Sequence, residues 1–214
     1  MALLLAAQAG LAGAARAPGT DELTRYFRSV QMDDAKTVQK MIAGQVVNPN
    51  QADPRSGEPG LIVALREGAT EVAASLIALP GVDLEAQAPN GNTALMMAAY
   101  KGNRAAVEAL LARGARINRA GWNALHFAAA GGDDAITRLL LARGAAVDAR
   151  APAGFTALML AAREGQEATV TTLLEAGADT TLTNSEQLSA AQIALRAEKP
   201  RIAAAISRHG GAGR

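Results

Sequence analysis

The 214-residue chain is expected to fold as an all-α solenoid of stacked helix-turn-helix units with projecting hairpin-like loops. Three observations lead there. One short motif recurs at a nearly fixed period. Each copy carries two apolar stripes with helical spacing. Finally, 52 residues are Ala against three Phe, two Tyr and one Trp. Small apolar side chains favour helix and let backbones approach closely.

The period is read directly. The copies are GEPGLIVAL from Gly57, GNTALMMAA from Gly91, GWNALHFAA from Gly121, GFTALMLAA from Gly154 and a weaker QLSAAQIAL from Gln187. Their fifth residues are Leu61, Leu95, Leu125, Leu158 and Ala191, at intervals of 34, 30, 33 and 33. Repetition on this scale marks stacked supersecondary units. The interval of 30 arises where ARINRAG stands against AAVDARAPAG in the next copy, three residues fewer, so one connecting loop is short. The interval of 34 places Pro80-Gly81 as an insertion at a turn.

Taken from the N-terminus, Ala2 to Ala15 is an uncharged run followed by Arg16-Ala17-Pro18-Gly19. It is shorter than the roughly 20 residues that cross a bilayer. It matches the apolar region of a signal peptide, with Ala12-Gly13-Ala14 as small residues for cleavage. Because no Lys or Arg precedes the run, an apolar N-terminal helix is the alternative. The expected division is therefore 1–17 signal peptide or apolar helix, 18–22 linker, 23–209 repeat array of about six copies, and 210–214 flexible tail.

The first copy, Thr24 to Ile42, concentrates aromatics at Tyr26 and Phe27 and carries Asp33, Asp34, Lys36, Gln39 and Lys40 on a polar face, as a solenoid end requires. In the inner copies, Leu158, Ala161 and Ala162 share one helical face. Thr156 stands where its hydroxyl caps the first turn. Val170, Leu173 and Leu174 make the second stripe, and Gly177 can take the left-handed conformation that ends it. Paired alanines such as Ala98-Ala99 and Ala128-Ala129 suit a close helix contact, where Leu would overpack and cost about 1–3 kcal/mol. Pro200 fits the first turn of a last helix exposing Arg201 and Arg208.

The chain from Asp21 to His209 resembles the ankyrin repeat family. Gly121, Leu125, His126, Ala128 and Ala129 fall on the family's G-x-T-P-L-H-x-A-A frame, and Val107, Leu110, Leu111, Gly144, Ala145 and Asp148 on its V-x-x-L-L-x-x-G-A-D-V-N frame. The Pro is Ala in three copies, and only one copy keeps the His. The resemblance implies binding of a protein partner through a concave face and loop tips.

Composition excludes other functions. With 21 Lys+Arg against 20 Asp+Glu the net charge is +1, too small a field to hold a phosphate backbone, so no nucleic acid is expected. No Cys is present, so a disulfide, thiolate metal site or cysteine nucleophile is out. His126 and His209 lie in different copies without HExxH, and the six Ser include no Gly-x-Ser-x-Gly. The terminal HGGAGR lacks the Lys and strand of a phosphate loop. Adjacent acids, Asp33-Asp34 and Asp133-Asp134, point apart on a helix and read as solvated surface. No catalytic residue, cofactor or metal is expected. His126 reads as structural, because it occupies the family position whose imidazole bonds backbone near the adjoining copy.

What remains is surface. Carried over from the family, the residues after the motif Gly are Glu58, Asn92, Trp122 and Phe155, with Leu188 in the last copy. Those after the Ala pair include Tyr100-Lys101 and Arg163-Glu164, and the tips include Arg119. The expected protein-binding set is Trp122, Phe155, Leu188, Asn92, Tyr100, Lys101, Arg119 and Arg163. Trp122, Phe155 and Leu188 form an apolar row with Arg119, Arg150 and Arg163 at its rim. The sole Trp leads it, since Trp, Tyr and Arg dominate interface hot spots. The alternative is a Trp122 that lies flat and shields the shortened loop. The expected function is a non-enzymatic, monomeric interaction module for a protein partner of unknown identity, exported to a periplasm or secreted. The alternatives are a cytoplasmic or secreted-effector protein, if 1–17 is retained, or an enzyme regulator or scaffold with a small-molecule pocket between loops.

Overall fold

The computed structural model describes residues 17–212. Among them, twelve α-helices and one 3-10 turn occur with no named strand. The helices pair in chain order: α1 (Thr20–Gln31) with α2 (Ala35–Ala43), α3 (Gly60–Glu67) with α4 (Thr70–Ala78), and α5 (Ala94–Tyr100) with α6 (Arg104–Ala112). Then come α7 (Ala124–Gly131) with α8 (Asp134–Ala142), α9 (Ala157–Glu164) with α10 (Glu167–Glu175), and α11 (Ala190–Arg196) with α12 (Pro200–Ala212). The odd-numbered helices stack in one row and the even-numbered in a second, each pair packing chiefly on its chain neighbours. No helix of the described residues is long and apolar enough to cross a membrane.

Two boundaries differ from the sequence expectation. Residues 20–22 of the expected linker are helical, because Gly19 serves as N-cap and its N–H reaches Glu22 Oε2 at 2.7 Å. The expected tail from 210 is also helical as far as Ala212, and Gly210 lies close against Thr180. The expected signal segment, save Ala17, and residues 213–214 lie outside the described residues.

Burial explains the recurring Leu. Leu61, Leu95, Leu125 and Leu158 are at most 4% exposed, and Ala98, Ala99, Ala128, Ala129, Ala161 and Ala162 are fully buried. The Leu fills the space between the two rows, while the Ala pair lets consecutive odd helices touch. Each odd helix from α5 onward starts on a polar cap. Thr93, Asn123, Thr156 and Ser189 accept N–H groups of the first turn, and Asn103 and Asp133 do the same for α6 and α8. Tyr26 and Phe27 meet edge-to-face at 4.9 Å and close the N-terminal end. Burial pushes the Tyr26 hydroxyl up to about 12.

Successive loops are stitched by one kind of bond. Asn50 Oδ1 accepts the Asp83 N–H at 2.8 Å, and Glu85 Oε1 accepts the Arg116 N–H at 2.8 Å. Asn118 Oδ1 accepts the Ala146 N–H at 2.9 Å, and Asp148 Oδ1 accepts the Asp179 N–H at 3.0 Å. Each loop thus satisfies a backbone donor of the next, which fixes the register of the stack.

The loop between α6 and α7, residues 113–123, is the short one, with eleven residues against fourteen in 143–156. The other loops close a hairpin across the motif Gly through Asp53 N–H to Glu58 O, Ala88 N–H to Asn92 O, Ala151 N–H to Phe155 O, and Asn184 N–H to Leu188 O. The short loop makes no such bond. It has lost its tip.

Beside it, α5 and α7 approach closely. A Cβ on Gly131 would lie 2.8 Å from the Tyr100 carbonyl oxygen, inside contact distance and against backbone. Helix propensity alone makes Gly→Ala favourable by about 0.5–1 kcal/mol. Here the clash overrides it. Gly131→Ala is expected to destabilise the protein by about 1–3 kcal/mol, read as a lower urea midpoint; a raised midpoint would show that the two helices separate freely.

Candidate functional site

Five aligned copies build a surface from three columns. The residue after the motif Gly is Glu58, Asn92, Trp122, Phe155 and Leu188. The middle of the first helix contributes Val63, Met97, Phe127, Leu160 and Ile193, and its end Arg66, Tyr100, Ala130, Arg163 and Arg196. At the centre of the array the columns turn aromatic. Tyr100, Trp122, Phe127, Ala130, Leu160 and Arg163 line a cleft of about 210 Å³, with His126 at its floor. Tyr100 is 52% exposed and Trp122 36%. Phe127 stands between them, edge-on to Tyr100 at 6.2 Å and to Trp122 at 6.2 Å. Such edge-to-face contacts hold the rings in place while leaving faces open.

The expected row is divided. Phe155 and Leu188 are half-buried and line a second cleft, of about 360 Å³, with Arg196, Glu186 and Ile193. Arg163 borders both clefts. Its guanidinium lies 5.7 Å from the Phe155 ring centre and its Nε is 2.8 Å from Glu164. Of the remaining expected residues, Tyr100 joins the first cleft. Lys101 is exposed beside Tyr100, at the end of α5. Asn92 is held in its hairpin, its N–H bonded to Asn90 Oδ1 at 3.0 Å and its carbonyl to the Ala88 N–H. Arg119 is half-buried, with Nη1 enclosed and without an acceptor. Neither Asn92 nor Arg119 lines either cleft. The Trp122 ring meets those of His126 and Phe127 of its own copy.

Phe127 is the residue that sequence reading left out. Its column is apolar in every copy, which reads as core. Only the missing hairpin tip, with Ala130 in place of a long side chain, leaves its ring at the surface.

His126 shapes the floor. It is 1% exposed, and the Trp122 ring meets it edge-on at 5.5 Å. Its Nε2 lies 3.0 Å from the Ala149 carbonyl oxygen and donates to it, while Nδ1 faces Asn123, 3.3 Å from its backbone N–H and 2.8 Å from its Oδ1. Asn123 Oδ1 caps Leu125 and His126 N–H groups at 3.1 and 3.3 Å, so cap and imidazole form one unit. Burial holds the imidazole pKa below its ordinary 6.5, against the backbone groups of Ala149 and Phe155 that raise it. Among the described residues no group of His, Asp and Glu could hold a metal ion.

A family model described as ankyrin repeats (3 copies) matches residues 27–120 and again 118–184, well over half of the chain. The fold and its repeating surface are those of an interaction scaffold. The chain belongs to the ankyrin repeat family, whose repeat domains are protein–protein interaction modules. It is similar to a solved ankyrin repeat domain from Acinetobacter baumannii AYE, at 27% identity and a TM-score of 0.72, covering 87% of this chain and 97% of that one. It is also similar to the ankyrin repeat domain of Bcl-3, a member of the IkappaB protein family, at 28% identity and a TM-score of 0.69, covering 86% and 81%. No curated protein matches the chain.

The depressed His126 pKa has a signed consequence. The unfolded imidazole takes up a proton near pH 6.5, whereas the folded one resists until a lower pH. The unfolded state therefore binds more protons in that window, and stability falls as pH drops below 6.5, by at most about 1.4 kcal/mol per pH unit. Urea midpoints measured on both sides of this window are expected to show that slope. It should flatten in His126→Gln and persist in His209→Ala.

Proposed function

We propose that this chain is a non-enzymatic, monomeric docking module that seats side chains of a protein partner in the cleft of Tyr100, Trp122 and Phe127. The observation that carries the proposal is the exposure of two large aromatics around one apolar hollow at the middle of the array. Isolated exposed apolar residues are ordinary, but a clustered patch marks an interaction site. Size favours a side chain over a ligand. The cleft of about 210 Å³ falls below the roughly 300–1,000 Å³ typical of small-molecule pockets. Phe155, Leu188, Arg163 and Arg196 extend the contact surface toward the last copy, and Asn92, Lys101 and Arg119 belong to its rim.

The apolar run from Ala2 to Ala15 supports export, to a periplasm or beyond the cell. Amino-terminal sequencing of the natively produced protein decides that point: a start near residue 18 is the result of cleavage, and a start at Met1 that of retention.

For the docking surface, capture from the source cells with wild-type and Trp122→Ala protein is the direct measurement. A hot-spot contact is worth about 2 kcal/mol or more. Loss of one defined partner, with recovery from Glu71→Ala unchanged, is the expected outcome. Equal recovery of that partner by Trp122→Ala would remove the cleft from the interface.

A further inference from the structure

We infer that the cleft is a cage for a quaternary ammonium group, and that the side chain it seats is an Nε-trimethylated lysine of the partner. The inference rests on the docking reading above and adds the chemistry of the occupant.

It follows from the rings that wall the hollow. Phe127 stands at 89° to Tyr100 and at 69° to Trp122, with both centroid separations 6.2 Å. Three rings at steep angles thus line one hollow from different directions. The face of an aromatic ring is the negative end of its quadrupole. A cation beside several such rings is attracted electrostatically by each of them. Tyr100 and Trp122 are partly open to solvent, so the hollow can be entered.

The remaining lining decides which cation fits. Ala130 and Leu160 are apolar, and among the described residues no Asp or Glu lines the hollow. A primary ammonium brings three N–H donors that must find acceptors when they leave water, and no carboxylate is here to take them. A trimethylated nitrogen has no N–H. It presents its charge through methyl groups, which suit apolar walls and ring faces together. A hollow of about 210 Å³ matches so compact a group.

Two basic side chains border the hollow, and neither opposes a cation in it. His126 meets Trp122 edge-on from below, and burial holds its imidazole below the ordinary 6.5, so it is uncharged at neutral pH. The Arg163 guanidinium lies 5.7 Å from the centre of Phe155, a ring of the second cleft, and its Nε is 2.8 Å from Glu164 Oε1. A neutral apolar side chain also fills such a space. Charge separates the two occupants, because ring faces attract the ammonium and not a neutral group of the same shape.

The test titrates the full chain with N-acetyl-Nε-trimethyllysine methylamide, with its neutral isostere in which carbon replaces the ε-nitrogen, and with the unmethylated lysine compound. Trp122 is the sole Trp, so its emission reports the cleft directly. The trimethylated probe should bind about tenfold or more tightly than either of the others. Tyr100→Leu keeps apolar area but removes one ring face, and its helical melting curve checks that it folds. It should weaken the trimethylated probe and leave the isostere unchanged. An isostere that binds as well as the trimethylated probe overturns the cage and leaves the docking reading standing. So does an absence of probe binding in a protein whose captured partner still requires Trp122. Tighter binding of phosphatidylcholine vesicles than of the lysine probe overturns the protein source of the ammonium.

Discussion

Everything in this molecule depends on one burial constraint: no copy can hide its own apolar stripes. A helix of seven to nine residues with one Leu and a pair of Ala has no stability in water by itself. It gains stability only when the next pair covers it. The fully buried Ala pairs set the spacing of the odd-helix row, and larger side chains in the even row, such as Leu110, Ile136, Leu140 and Leu173, fill the remaining volume. Stability is therefore a sum over neighbours along the stack, with ends that must differ from the middle. Tyr26 and Phe27 fill the first pair. In the last pair Leu195 replaces the second Ala and is 59% exposed, because among the described residues no further helix packs on it.

Regularity in the core is what makes a local irregularity informative. The bonds from Asn50, Glu85, Asn118 and Asp148 to the following loop keep register through all the loops, including the short one. Three missing residues therefore do not shift the stack. They remove a hairpin tip. Trp122, Phe127 and Tyr100 occupy the opened space, and the His126–Asn123 unit supports them from below through Ala149 of the next loop. A buried polar unit bonded on both ring nitrogens is rigid, so the aromatic floor is preorganised for contact.

The aromatics of this surface carry apolar area that is lost from water on contact. Arg163 stacks on Phe155 while paired with Glu164. Exposed pairs of that kind contribute little to folding.

The sequence by itself determined the class of fold, the buried Leu and Ala columns, the polar cap at Thr156, and the position of the short loop. All of these are set by periodicity and local chemistry, which a single chain displays openly. It also placed Trp122 and Tyr100 at the surface. Only the tertiary structure decided that Trp122 joins Tyr100 and Phe127 in one cleft while Phe155 and Leu188 line another, that Arg163 stands between them, and that Asn92 and Arg119 line neither. It also decided the helical ends at Thr20 and Ala212. The physical reason is that column position tells which side of a helix a residue occupies, but not which neighbour its side chain meets across a junction. That depends on the distance between adjacent copies, and here the Gly131 contact with Tyr100 and the shortened loop set it.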